Sequence, residues 1–160
     1  MTARPAGVLV VGVGNPSRGD DALGPAFVER AGAALAAEVA RGELELLTDF
    51  QLQVEHALDL QGRARVVFVD ASVSAAAPFA YDAVAPAAGP PAYTTHAMSP
   101  AALLATYRDV VGPPPPAFVL AIRGEGFELG APLSAAARAH LDAALAFFTG
   151  SLRAEAVPHA

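Results

Sequence analysis

Apolar residues in this chain fall into unbroken runs and into stripes of helical spacing. Val8 to Val13 (VLVVGV) and Val66 to Val69 (VVFV) carry no polar alternation, as expected of strands covered on both faces. Between them, Ala22 to Ala40 places Leu23, Phe27, Ala31, Leu35 and Val39 four residues apart, one face of a helix that Gly42 stops. Glu43 to Thr48 reads as a weaker strand, and Leu52 to Leu60 as a short helix closed by Gly62. This β-α-β alternation predicts a parallel sheet with right-handed crossovers.

The pattern changes after Asp70. Phe79 to Val84 reads as a strand, but the small-residue link Ala71 to Ala77 is too short for a helical crossover. This strand is therefore expected at an antiparallel edge. Ala85 to Thr95 is a Pro/Gly-rich loop ending at His96. Ser99-Pro100 then supplies an N-cap and a first-turn proline for a helix to about Val110. Pro113 to Pro116 is expected to be extended, and Ala117 to Ile122 is a fifth strand. Leu133 to Phe148 closes the chain as a helix, with Leu133, Ala137, Leu141, Leu145 and Phe148 on one face, and residues after Gly150 are expected to fray. The sum is one α/β domain over 1–160, a three-layer α/β/α sandwich around a five-stranded, mostly parallel sheet.

Chemistry concentrates where the first and third strands end. Gly12 and Gly14 allow a sharp turn after the first strand, Asn15 tolerates unusual dihedrals, and Pro16 fixes the exit. Asp20 and Asp21 follow beside a helix start, and Asp70 ends the third strand, the edge at which open α/β sheets place their sites. With His96, Asp21 and Asp70 offer two carboxylates and an imidazole, a donor set for a divalent transition metal with positions left open. Each also has a plain structural reading: a carboxylate at a helix start, a turn acceptor and a solvated loop histidine. Asp20 is expected to support or cap rather than face the same ion as its neighbour. Asn15 either holds the loop or meets a substrate backbone.

Composition narrows the classes. The 160 residues include no cysteine, which excludes disulfides, thiolate metal sites and cysteine nucleophiles. The net charge of −6 without a basic cluster argues against nucleic acid as a partner. The apolar fraction of 54% is inflated by alanine, no run approaches the roughly 18 residues of a membrane span, and MTARPAG lacks the core of a secretory signal. A cytoplasmic protein without membrane partners is expected. No G-x-S-x-G or H-E-x-x-H is present. The glycine turn has Ser17 where a dinucleotide fingerprint wants a third glycine, and Asp20 and Asp21 would repel a pyrophosphate. Dinucleotide binding, with Asp49 as the ribose acid, remains the main alternative. His56, His140 and His159 read as solvated histidines and Glu125 as a solvated turn residue.

Gly12-Val13-Gly14-Asn15 followed by Asp20-Asp21 and Gly24 resembles the N-terminal signature of the NiFe-hydrogenase maturation endopeptidases. The resemblance continues at Val66 to Ala71, at Thr95-His96, and to Phe127-Glu128-Leu129-Gly130 and Leu133-Ser134. It implies a mixed sheet with one antiparallel strand. It also implies an endopeptidase that removes the C-terminal extension of a hydrogenase large-subunit precursor after nickel insertion. Asp21, Asp70 and His96 match the family's metal-binding acid, acid and histidine one by one. The nickel would arrive in the substrate, with cadmium or zinc able to stand in for it. A non-catalytic chaperone of the nickel-loaded subunit is a second alternative. Asp49 to His56 (DFQLQVEH) departs from the family's usual glycine-containing stretch and leans toward members that serve cytoplasmic, cofactor-coupled hydrogenases.

Overall fold

The computed structural model describes residues 5–88 and 98–156. Strands β1 (Val8–Val13), β2 (Leu44–Asp49), β3 (Arg65–Ser72), β4 (Phe79–Ala83) and β5 (Ala117–Arg123) form one sheet in the order β2-β1-β3-β5-β4. Every neighbouring pair is parallel except β4 with β5, so the strand after the short 71–77 link is the antiparallel edge its connection predicts. From β1 the chain steps one way to β2 and the other way to β3. The loops leaving β1 and β3 therefore diverge and open a crevice at their carboxyl ends.

Alternation along the strands sorts side chains into two cores. Val10, Val67, Val69 and Leu120 face α1 (Leu23–Ala34) and the closing helix, meeting Phe27, Leu141 and Phe148. Leu9, Val11, Val66 and Phe68 face the other way, toward a 3₁₀ segment at Val54–Leu60 and α3 (Pro100–Val110), where Leu60, Leu103 and Leu104 are buried. Helices thus cover both faces of the sheet, giving the three layers expected. Ser99 caps α3 by accepting the Ala102 N–H at 3.1 Å. In β1 and α1, Gly12 and Gly24 let the helix lie directly on the strand, because a Cβ on Gly24 would run into the carbonyl oxygen of Val13.

Three expectations need correction. The helix expected over 22–40 begins with a 3₁₀ turn at Gly19–Ala22 and breaks at Leu35, whose φ of −117° and ψ of 31° lie outside the helical well. The short α2 (Ala36–Ala40) that follows buries Glu38, which pairs with Arg153, and turns Val39 to solvent at 40% exposure. From Gly32 to Ala40 only Leu35 and Val39 are large and apolar, too few to hold one helical register across the break. The short helix over 52–60 is 3₁₀ and starts later, at Val54, where Gln53 and His56 form a reciprocal cap. The closing helix, α4 (Ala135–Ala156), does not fray after Gly150. Leu152 is buried in the α1 core, and Arg153 and Glu155 pair with Glu38 and Arg65.

Candidate active site

The segment between β1 and α1 is folded by its own polar groups. Gly14 has φ +144°, and a Cβ there would collide with the Asp21 carbonyl, so only glycine fits this approach. The Asn15 side-chain oxygen accepts the Ser17 N–H at 2.9 Å, a local turn, while the Asn15 N–H donates to Asp21 Oδ2 at 2.7 Å. Asn15 is therefore a loop-holding residue that also fixes the carboxylate of Asp21.

The 3₁₀ turn sends the two adjacent aspartates in opposite directions. Asp20 is fully buried. Its carboxylate accepts the N–H of Glu125 (2.7 Å), Gly126 (3.1 Å) and Ser134 (2.7 Å) and the Ser134 hydroxyl (2.8 Å). Burial alone would raise its pKa, but these donors outweigh it and leave the carboxyl below its ordinary value. Asp20 thus ties the β1 loop to the segment after β5 and to the start of α4, the supporting role expected of it. Asp21 faces a cleft of about 450 Å³ at the β1/β3 switch point.

Asp70 lines the same cleft. It continues the Val66–Phe68 face of β3, so strand alternation aims it at the α3 side. Gln51 and Leu52 after β2 form one wall, Met98 and Ser99 before α3 the other, and Phe68 and Val119 the floor. Asp70 is open to solvent by surface area, yet it stands recessed with protein on most sides. Lost hydration pushes its carboxyl up to about 6; the Ala71 N–H pulls the other way, and the charge of Asp21 adds to the rise.

This shift has a consequence for stability. Between the ordinary value of 3.8 and about 6 the native protein holds more proton on Asp70 than the unfolded chain does. Stability from this group therefore falls as pH rises through that window, and ionised Asp70 is a net cost at neutral pH. Asp70→Asn is expected to raise the melting temperature near pH 7.5 by roughly 2–4 °C, the effect of about 1 kcal/mol once solvent screening is allowed for. The gain should vanish near pH 4. A variant that melts below wild type at both pH values would contradict this reading.

The structure brings together Asp21 and Asp70, while His96 lies outside the described residues. Among the described residues no three His, Cys, Asp or Glu side chains gather closely enough to hold a metal ion. His56 and His140 are less solvated than expected. His56 Nδ1 accepts the Gln53 N–H at 2.8 Å, and its Nε2 lies 3.4 Å from Asp49 Oδ2. His140 Nδ1 donates to the Arg123 carbonyl at 2.8 Å. His159, too, lies outside the described residues. Glu125 is not purely solvated but sits 3.4 Å from Arg123 Nε. Asp49, the acid a dinucleotide would need, is occupied by the Phe50 N–H at 2.7 Å and by His56. The cleft walls around Gln51 and Met98 were not legible as site residues, since neither belongs to a motif with chemistry of its own.

The fold, a sheet of order 2-1-3-5-4 with one antiparallel edge, is an α/β architecture shared with solved structures of hydrogenase maturation proteases. The chain is similar to the hydrogenase maturating endopeptidase HybD from Escherichia coli, with 24% identity, 92% of this chain and 93% of that chain covered, and a TM-score of 0.68. It is also similar to the NiFe hydrogenase maturation protease HycI from Thermococcus kodakarensis, with 18% identity, coverage of 91% and 92%, and a TM-score of 0.67. An Escherichia coli endopeptidase solved in solution has 24% identity, coverage of 94% of both chains and a TM-score of 0.66. At these identities the likeness carries the fold. No protein-family model matches the sequence, and no curated protein does.

Proposed function

We propose that this protein is an endopeptidase that removes the C-terminal extension of a NiFe-hydrogenase large-subunit precursor once nickel is in place. The observation that carries the reading is the meeting of Asp21 and Asp70 in one cleft at the switch point. The fold around it spans nine-tenths of the chain and is shared with proteins bearing that name. Asp21, Asp70 and His96 are the groups that engage the metal and act at the scissile bond. The two carboxylates fit a cation chemically, because positive charge between them would relieve the repulsion that Asp21 exerts on Asp70. Nickel comes with the substrate, and such an ion supplies charge stabilisation at a carbonyl or an acidified water. Asn15 and Asp20 hold the loop that presents Asp21, and Leu52, Phe68, Met98 and Val119 give the cleft an apolar lining beside it.

Dinucleotide binding is disfavoured by the two acids in the glycine turn and by the engagement of Asp49 with Phe50 and His56. A cytoplasmic setting belongs to this proposal; separately, no helix among the described residues is long and apolar enough to cross a membrane. Incubating the protein with nickel-loaded and nickel-free precursor tests the reading. The loaded form should lose its extension and the free form should stay intact. Equal cleavage would refute nickel as the recognition handle, and cleavage of neither would refute the protease.

A further inference from the structure

Of the eight phenylalanines, Phe27, Phe68 and Phe148 are fully buried, and Phe50, at 67%, is the most exposed. It is not exposed because its loop is loose. The Phe50 N–H donates to Asp49 Oδ1 at 2.7 Å, and Asp49 Oδ2 lies 3.4 Å from His56 Nε2 and 3.5 Å from Gln53 Nε2. The Gln53 N–H is in turn accepted by His56 Nδ1, and the Asp49 carbonyl accepts the Gly14 N–H at 3.1 Å, which ties the loop to the end of β1. On its other side Leu52 is buried in the core. The backbone that carries the ring is thus held between two anchors, and Phe50 lines the cleft that contains Asp21 and Asp70.

We propose that Phe50 is a specificity-determining contact, its ring taking an apolar side chain of the substrate chain beside the scissile bond. The inference rests on the protease reading above and adds what the substrate must offer. Among the described residues the charged side chains lining the cleft are Asp21 and Asp70, so an acidic substrate residue there would be repelled. Leu52, Phe68, Val119 and Met98 give the cleft an apolar stretch beside Phe50, and Gln51 and Ser99 are its uncharged polar members. A volume of about 450 Å³ suits a short extended segment rather than a folded surface. An exposed aromatic beside such a segment gains burial only when the segment is bound.

The test is steady-state cleavage of nickel-loaded precursor by wild type, Phe50→Ala, Phe50→Leu and Val110→Ala, with thermal melts of each. Val110 is the control, an apolar residue 76% exposed at the far end of α3. Phe50→Ala should melt close to wild type. Its KM should rise roughly tenfold with kcat within about twofold, the pattern of lost binding shared by ground and transition states. Phe50→Leu should recover most of the loss, and Val110→Ala should match wild type. Alanine replacements along the substrate near the cut should include one apolar position that reproduces the KM rise and adds nothing further in the Phe50→Ala background. An unchanged KM in Phe50→Ala, or a strongly lowered melting temperature, would overturn the assignment while leaving the protease reading intact. A wild type that does not cut would overturn both.

Discussion

Replacing Asp20 by alanine is expected to destabilise the protein by about 3–5 kcal/mol. The carboxylate has no access to solvent and accepts three backbone N–H groups and one hydroxyl from a distant part of the chain. Alanine leaves those donors without an acceptor, each at a cost of about 1–3 kcal/mol before any relaxation. In a chain of this length the melting temperature should fall by roughly 10 °C. The sign of the pH dependence follows from the lowered carboxyl of Asp20. Its stabilisation is present above the ordinary carboxylate value and is lost only as pH falls through the still lower native value. Thermal melts of wild type and variant should therefore differ by a constant amount at neutral pH and converge only in strong acid. A variant that melts with wild type at neutral pH would show that water replaces the carboxylate without penalty.

The second large effect is on activity. His96→Ala is expected to slow precursor processing at least about a hundredfold while leaving the melting temperature near that of wild type. His96 belongs to a Pro/Gly-rich stretch rather than to an apolar stripe, so its loss removes little packing; as one of three proposed ligands, its loss leaves only carboxylates to engage the metal. His140→Ala is the matched control. It gives up one hydrogen bond to the Arg123 carbonyl, at a cost of about 1 kcal/mol, and should process normally. Time courses of cleavage beside thermal melts separate the cases. A His96→Ala protein that processes at the wild-type rate would remove His96 from the site, and one that unfolds would make it structural.

Much of this arrangement is legible in the sequence because strands buried on both faces leave no polar positions. VLVVGV and VVFV announce β1 and β3, and the short link after Asp70 announces the antiparallel edge. The acids at the two strand ends follow from that topology, since strands on either side of a switch point deliver their loops to one crevice. What was not legible depends on partners that a residue pattern does not specify. The supporting role of Asp20 was legible, but its partners were not, since the N–H groups it accepts lie more than a hundred residues away. His56 looks like a solvated helix residue until Gln53 and Asp49 close on it. The break at Leu35 and the burial of Leu152 against the α1 core are not encoded in an alanine-rich pattern. Phe50 carries no sign in sequence of facing outward, because a lone aromatic in a loop is as readily buried.

The mass of the nickel-loaded large-subunit precursor, after incubation with wild type and with Asp70→Asn, tests the central claim most directly. Asp70→Asn keeps the size of the side chain and removes the charge that the cleft is proposed to use, and its melt establishes that it is folded. Wild type should convert the precursor to a product shorter by its C-terminal extension, and folded Asp70→Asn should leave the mass unchanged. Conversion at the same rate by both proteins, or by neither, would contradict the assignment of proteolysis to the cleft of Asp21 and Asp70.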